Sequence, residues 1–221
     1  ALSGRPTWDM KFIGNALSTD PNARLTHWVR IRDDRWVCSR DFKPERAVSA
    51  LNLSDDLKNA DVVVLNGMPH SFLQPVEAEL IKRLEAGSIG MLVLPSGQTF
   101  AELGYAGTEI GARLPVNIGD ELWRGNPGNM VLPSSETPYN FLRLVDDPIQ
   151  NLEFFATLPK FDGLYEYNGL KPGAEILIGS TVRGASDLLP FMLQSRAGQG
   201  HVIMLAGGPV WPISPTSSPS A

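Results

Sequence analysis

Residues 61–107 read DVVVLNGMPHSFLQPVEAELIKRLEAGSIGMLVLPSGQTFAELGYAG, and the hydrophobic period changes along them. Val62 to Leu65 is a continuous aliphatic run without polar alternation, as expected of a strand covered on both faces of a parallel sheet. Asn66, Gly67 and Pro69 end it. From Pro75 the apolar residues Val76, Leu80, Ile81 and Leu84 recur every three to four positions, with Glu77, Glu79, Lys82, Arg83 and Glu85 between them. This predicts an amphipathic helix from Pro75 to Ala86, closed by Gly87. Met91 to Leu94 is a second apolar run, so the stretch reads as a right-handed βαβ unit. Pro95, Ser96 and Gly97 form the turn out of the second strand. Ligands of α/β proteins bind outside the carboxyl ends of parallel strands, which directs attention to that turn.

The remainder of the chain supplies elements of the same kind. Gly4 to Thr7 reads as a turn from a first parallel strand into a helix whose apolar face is Trp8, Phe12, Ile13, Ala16 and Leu17, ending near Asp20 because Pro21 follows. Arg24 to Arg32 alternates as a strand with one wet face, Trp36 to Ser39 is extended after the Asp33-Asp34 turn, and Glu45 to Leu51 reads as a short helix or turn. Thr99 to Gly104 and Thr108 to Arg113 read as short helices, and Pro148 to Ala156 as a helix capped by Asp147. Residues 117–174, punctuated by Pro and Gly, read as a decorated sheet edge. Glu175 to Gly179, Phe191 to Arg196 and His201 to Ala206 are strand candidates, the last two joined by Ala-Gly-Gln-Gly as a hairpin.

Composition limits the function classes. The 221 residues carry a net charge of -5 with scattered basic residues, which gives no electrostatic footprint for nucleic acid. No apolar run reaches the roughly 18 residues of a bilayer span, so no membrane contact is expected of these residues. The lone Cys38 excludes an intrachain disulfide, and three scattered histidines give no metal-ligand spacing. Neither a metal nor another cofactor is expected. Residues 1–211 are expected to form one domain, and the Pro/Ser-rich 212–221 a linker or tail within a longer protein.

The order of parts resembles the class I glutamine amidotransferase-like fold. DVVVLNGMP (61–69) is similar to that family's strand ending in a Gly-containing turn, and LVLPSGQTFAELGYAG (92–107) to its strand, nucleophile elbow and helix. GRPTWDMKFIGNALSTDP (4–21), ELGYAGTEIGARLPV (102–116) and RAGQGHVIMLAGGPVW (196–211) resemble the degenerate domains of large bacterial membrane-anchored proteins, which often carry a von Willebrand A-type domain. The resemblance implies a flavodoxin-like three-layer α/β sandwich with a mostly parallel sheet and a C-terminal β-hairpin. It also implies a loss of chemistry. Pro95 stands where the family has its nucleophilic cysteine, Gln98 where a histidine follows, and Gly207, Gly208, Pro209, Val210 and Trp211 where the catalytic histidine and glutamate lie. Thioester chemistry needs a thiolate and a positioned base.

The function implied is a non-catalytic module for protein interaction or scaffolding in a larger envelope-associated protein, partnered by another protein or a neighbouring domain of the same chain. The alternative is a small-molecule hydrolase or ligand-binding domain using the strand-end site around Ser96. Catalysis there would require Ser96 as nucleophile and a base, for which His70, in a loop after a parallel strand, is better placed than His201 at the start of one. The competing role for Ser96 is a cap on the following helix. Ligand binding without bond making would rest on Asn66, Gly67, Ser96, Gln98, Gly207 and Gly208, although the glycines equally serve tight turns. Cys38 reads as a small buried hydrophobe, and the Asp33-Asp34 and Asp146-Asp147 pairs as turn formers or caps. The aromatics between 123 and 167 read either as a recognition surface or as packing under long loops.

Overall fold

The computed structural model describes residues 1–32, 35–44, 47–48, 51, 53–125, 128–182 and 188–208. The first half supplies β1 (Leu2–Ser3), α1 (Trp8–Ser18), β2 (Thr26–Arg32), β3 (Arg35–Arg40), β4 (Lys43–Pro44), α2 (Ser54–Lys58), β5 (Val62–Asn66), α3 (Glu77–Glu85), β6 (Gly90–Leu94) and α4 (Glu109–Arg113). The second half supplies β7 (Leu122–Arg124), β8 (Gly128–Val131), α5 (Pro148–Thr157), β9 (Gly163–Glu166), β10 (Glu175–Val182), β11 (Leu189–Ala197), β12 (Gly200–Leu205) and β13 (Gly207–Gly208). A ten-stranded sheet runs β4-β3-β2-β1-β5-β6-β12-β11-β10-β8, and a three-stranded sheet runs β13-β9-β7.

The βαβ unit forms as its pattern predicts. β5 and β6 are parallel neighbours with Val63 opposite Met91 and Leu65 opposite Val93, and α3 crosses between them. Alternation along these strands feeds two cores. Val63, Leu65, Met91, Val93, Val202 and Met204 pack with Leu80, Ile81 and Leu84 of α3, Leu57 of α2 and Ile110 of α4. Val64, Leu94 and Leu205 belong instead to a cluster with Met10 of α1 and Phe155 of α5. A strand apolar on both faces thus requires helices on both sides.

The expectation of a mostly parallel sheet needs correction. The central strands β2, β1, β5, β6 and β12 are mutually parallel, but every pairing outside them is antiparallel. The reason is the connections. Parallel neighbours need a long crossover, whereas only two residues separate β2 from β3 and β11 from β12, too few for anything but an antiparallel pairing. The C-terminal hairpin is present as β11-β12, turning at Gly198 and Gln199.

Three local expectations also change. Residues 99–104 form a single turn instead of a helix. Thr99 and Glu102 cap one another, with Glu102 N donating to Thr99 Oγ1 at 3.0 Å and Thr99 N to Glu102 Oε2 at 2.8 Å, but Gly104 at φ +80° diverts the chain before a second turn forms. Helix α1 is rotated from the predicted face, leaving Trp8 and Leu17 exposed and burying Met10 and Gly14. Val48, placed in a short helix or turn, instead bridges Trp36 antiparallel, while Glu45, Arg46, Ser49 and Ala50 lie outside the described residues. Asp33-Asp34, residues 209–211 and the 212–221 tail also lie outside them.

Helix α5 starts where expected, with Asp147 Oδ1 accepting from Ile149 N and Gln150 N, both at 2.9 Å. Cys38 is a buried member of the first core. Among the described residues no helix is long and apolar enough to cross a membrane.

Candidate functional site

The carboxyl ends of β1, β5 and β6 meet at one edge of the large sheet, and the residues leaving them build a polar cluster. Ser96 follows β6 with φ +52°, a conformation that costs a non-glycine residue on the order of 1 kcal/mol or more. Its hydroxyl donates to Asn66 Oδ1 at the end of β5, and the Arg5 guanidinium donates to its carbonyl oxygen. The Asn66 amide group in turn donates to Thr7 Oγ1 at 2.8 Å and Ser3 Oγ at 3.3 Å.

Ser3 Oγ lies 2.8 Å from His27 Nε2 on β2. Burial pulls His27 down from 6.5 to about 4, so the ring is neutral near pH 7 and Nε2 accepts from or donates to Ser3 according to its tautomer. Ser96, Asn66, Ser3 and His27 thus form one continuous hydrogen-bonded run, directed from Ser96 to Asn66 and from Asn66 to Ser3. Ser3 and Asn66 are fully buried, and a buried polar network is stable only when its members are satisfied.

Glycine at 67 is demanded by this packing. Its φ is +52°, and a Cβ there would stand 2.9 Å from Ser96 Cβ. Gly4 is similarly required, since its Cβ would lie 2.0 Å from the Gly67 carbonyl oxygen.

A cleft of about 570 Å³ opens beside the cluster. One wall is the turn into α1, with Arg5, Thr7, Trp8 and Asp9. The floor is Leu94 to Gly97. The lining is completed by Trp123, Tyr165, Gly207 and Gly208 of the small sheet and by Asp162 just before β9. Gly207 and Gly208 pair with Leu164 and Gly163, and a Cβ at Gly207 would meet the Gly163 carbonyl oxygen at 2.7 Å. Burial raises the Tyr165 phenol above its ordinary value.

Of the residues expected to bind, the fold gathers Ser96, Gly207 and Gly208 on the cleft and sets Asn66 and Gly67 directly against Ser96. Gln98 closes the turn through its backbone, donating to the Pro95 carbonyl oxygen at 3.3 Å, and is not part of the lining. The Ser96 cap is corrected: its hydroxyl goes to Asn66, and Thr99 caps the short turn that follows.

His70 is drawn into a different cluster. It is buried, its backbone N–H donates to the Leu103 carbonyl oxygen at 2.8 Å, and its ring stands edge-on to Tyr105. Its Nε2 lies 3.0 Å from Glu77 Oε1 but out of hydrogen-bond alignment, while the same carboxylate oxygen accepts from Ile110 N at 3.0 Å. His70 is therefore packed beside Tyr105 and Glu77 and does not line the cleft. His201 is exposed at the opposite end of β12, level with Arg196. Among the described residues no group of three or more His, Cys, Asp and Glu is arranged to hold a metal.

Sequence reasoning missed Arg5, Thr7, Trp8 and Asp9 as site residues, although the strand-to-helix turn containing them was recognisable and lies at the ligand-binding edge by the same topological rule. Trp123 and Tyr165 belong to the aromatics between 123 and 167 read either as a recognition surface or as packing under loops, while Asp162 had no signal; the pairing of β7 with β9 is what sets Trp123 opposite Tyr165.

No protein-family model matches the chain, and no curated protein matches it in sequence. Two solved structures of Salmonella typhimurium, each described as a cytoplasmic protein, are similar to it at 14% identity. One has a TM-score of 0.50, with 86% of this chain and 90% of that chain covered. The other has a TM-score of 0.52, with 86% of each covered. At this identity they speak to the fold alone.

Proposed function

We propose that the chain is a non-catalytic module of the class I glutamine amidotransferase-like kind, serving interaction or scaffolding in a larger envelope-associated protein and binding at its strand-end cleft. Three features support that ancestry. Ser96 turns through a positive φ directly after a parallel strand, as a nucleophile elbow does. The central strands are parallel. Cores on opposite faces fit a flavodoxin-like three-layer arrangement. The envelope-associated parent rests on the resemblance of residues 4–21, 102–116 and 196–211.

The observation that carries the loss of chemistry is the bond from Ser96 Oγ to Asn66 Oδ1. A carboxamide oxygen accepts a hydrogen bond but does not remove a proton at neutral pH, so the hydroxyl is held without being activated. Pro95 supplies no nucleophile in the cysteine's place. The test is an assay of the purified chain for ammonia release from glutamine and for hydrolysis of p-nitrophenyl acetate, with Ser96→Ala as control. No turnover above the variant is expected. Turnover lost in Ser96→Ala would favour the hydrolase reading instead.

A further inference from the structure

The composition of the cleft narrows what it takes. Trp8 is 60% exposed and Trp123 is 44% exposed, although both line a concave site at which large apolar side chains are costly to leave in water. Trp123 is held in place: it packs on Tyr165 with ring centroids 4.9 Å apart and lies across Gly163, where a Cβ would come within 2.6 Å of the indole. An indole fixed on one side and accessible on the other is a platform for a flat apolar surface.

Charge argues against a strongly ionic ligand. Asp9 and Asp162 would oppose a phosphate or carboxylate entering the cleft, and Arg5, with Lys11 4.6 Å from the centre of the Trp8 ring, would oppose a cation. What remains is a neutral molecule with an apolar face and an edge rich in hydroxyls. A sugar ring has that form, since its C–H groups present a face and its hydroxyls an edge that both donates and accepts. The polar side chains suit that edge, with the Asp162 carboxylate accepting, the guanidinium donating, and the Thr7 hydroxyl, whose oxygen already accepts from Asn66 and Met10 N, donating as well. The volume is in the range of small-ligand sites.

We infer that the strand-end cleft is a binding site for a neutral saccharide, stacked on Trp123 and Trp8 and hydrogen-bonded by Asp162 and Arg5. This rests on the reading of the cleft as the module's binding surface.

Isothermal titration calorimetry of the purified chain with maltose, cellobiose, lactose and chitobiose as neutral probes, glucose 6-phosphate as anion and choline as cation tests it. At least one neutral disaccharide is expected to bind, and the charged probes are not. Trp8→Ala, whose side chain is mostly exposed, and Asp162→Asn should each weaken that binding on the order of tenfold, with far-UV circular dichroism unchanged. Trp123→Ala serves as a third variant, read only if it remains folded.

Binding that neither Trp8→Ala nor Asp162→Asn weakens would overturn the inference, as would the absence of any disaccharide binding. If choline or glucose 6-phosphate alone binds, and Trp8→Ala removes it, the saccharide inference falls while the cleft reading stands. Ester or glutamine turnover dependent on Ser96 would instead sink the non-catalytic reading and leave the saccharide result intact.

Discussion

Ser96 Oγ donates its proton to Asn66 Oδ1, joining the turn after β6 to the end of β5 across the edge where α/β proteins bind their ligands. The Asn66 amide continues the path to Thr7 and Ser3, so one fully buried carboxamide ties together turns far apart in sequence. Asn66→Leu leaves Ser96, Thr7 and Ser3 without that partner. A destabilisation of about 2 to 3 kcal/mol is expected, measured as a lower denaturation midpoint with unchanged slope. A midpoint equal to wild type would mean the network is not formed in solution.

Gly67 and Gly107 share a left-handed backbone but differ in surroundings. At Gly67 a new Cβ meets Ser96, whereas at Gly107 nothing lies within 4 Å. Gly107→Ala should therefore cost about 1 kcal/mol from backbone strain alone, and Gly67→Ala clearly more, because the Ser96 turn must move. Equal losses in paired thermal melts would contradict this packing at the elbow.

His27 makes stability depend on pH. Its folded pKa, about 4, lies below its ordinary 6.5 because burial penalises the charged ring. Between these values the unfolded chain binds more protons, so stability falls as pH drops from 6.5 towards 4 and the His27 contribution levels off below that. The loss attached to this residue is on the order of 3 kcal/mol. Denaturant titrations from pH 7 to 4 should show it, and His27→Gln should flatten the slope in that window. An identical slope in the variant would remove His27 as the cause.

His70 is expected to act on stability and not on the cleft. Replacing it with Ala removes its edge contact with Tyr105 and its place beside Glu77, opening a cavity under the 70–72 turn. The expected cost is about 2 kcal/mol or more, read from thermal denaturation, with disaccharide affinity of the folded protein unchanged. Weakened ligand binding without a stability loss would return His70 to the site.

Asp147 offers a smaller, local test. Its side chain caps α5 through two backbone N–H groups, so Asp147→Ala should cost about 1 kcal/mol. Asp147→Ser should recover most of it. A neutral Ala variant would mean that water replaces the cap without loss.

The sequence by itself determined the elements whose signals are local. The unbroken aliphatic runs at 62–65 and 91–94 became adjacent parallel strands, the period of Val76 to Leu84 became α3, and Asp147-Pro148 started α5, because periodicity and capping act within a few residues. Tertiary structure decided what depends on residues distant in the chain. The antiparallel flanks follow from which strands pair, the rotation of α1 from the core it meets, and the lone turn at 99–104 from Gly104 overriding a correct capping pair. The site divides in the same way. Asn66, Gly67, Ser96 and the glycines at 207 and 208 could be placed because strand ends converge by topology, but whether Ser96 faced a histidine, a helix or an amide depended on side-chain packing among β1, β5 and β6. Trp123 is set opposite Tyr165 only through the pairing of β7 with β9, a long-range choice that no local pattern around them encodes.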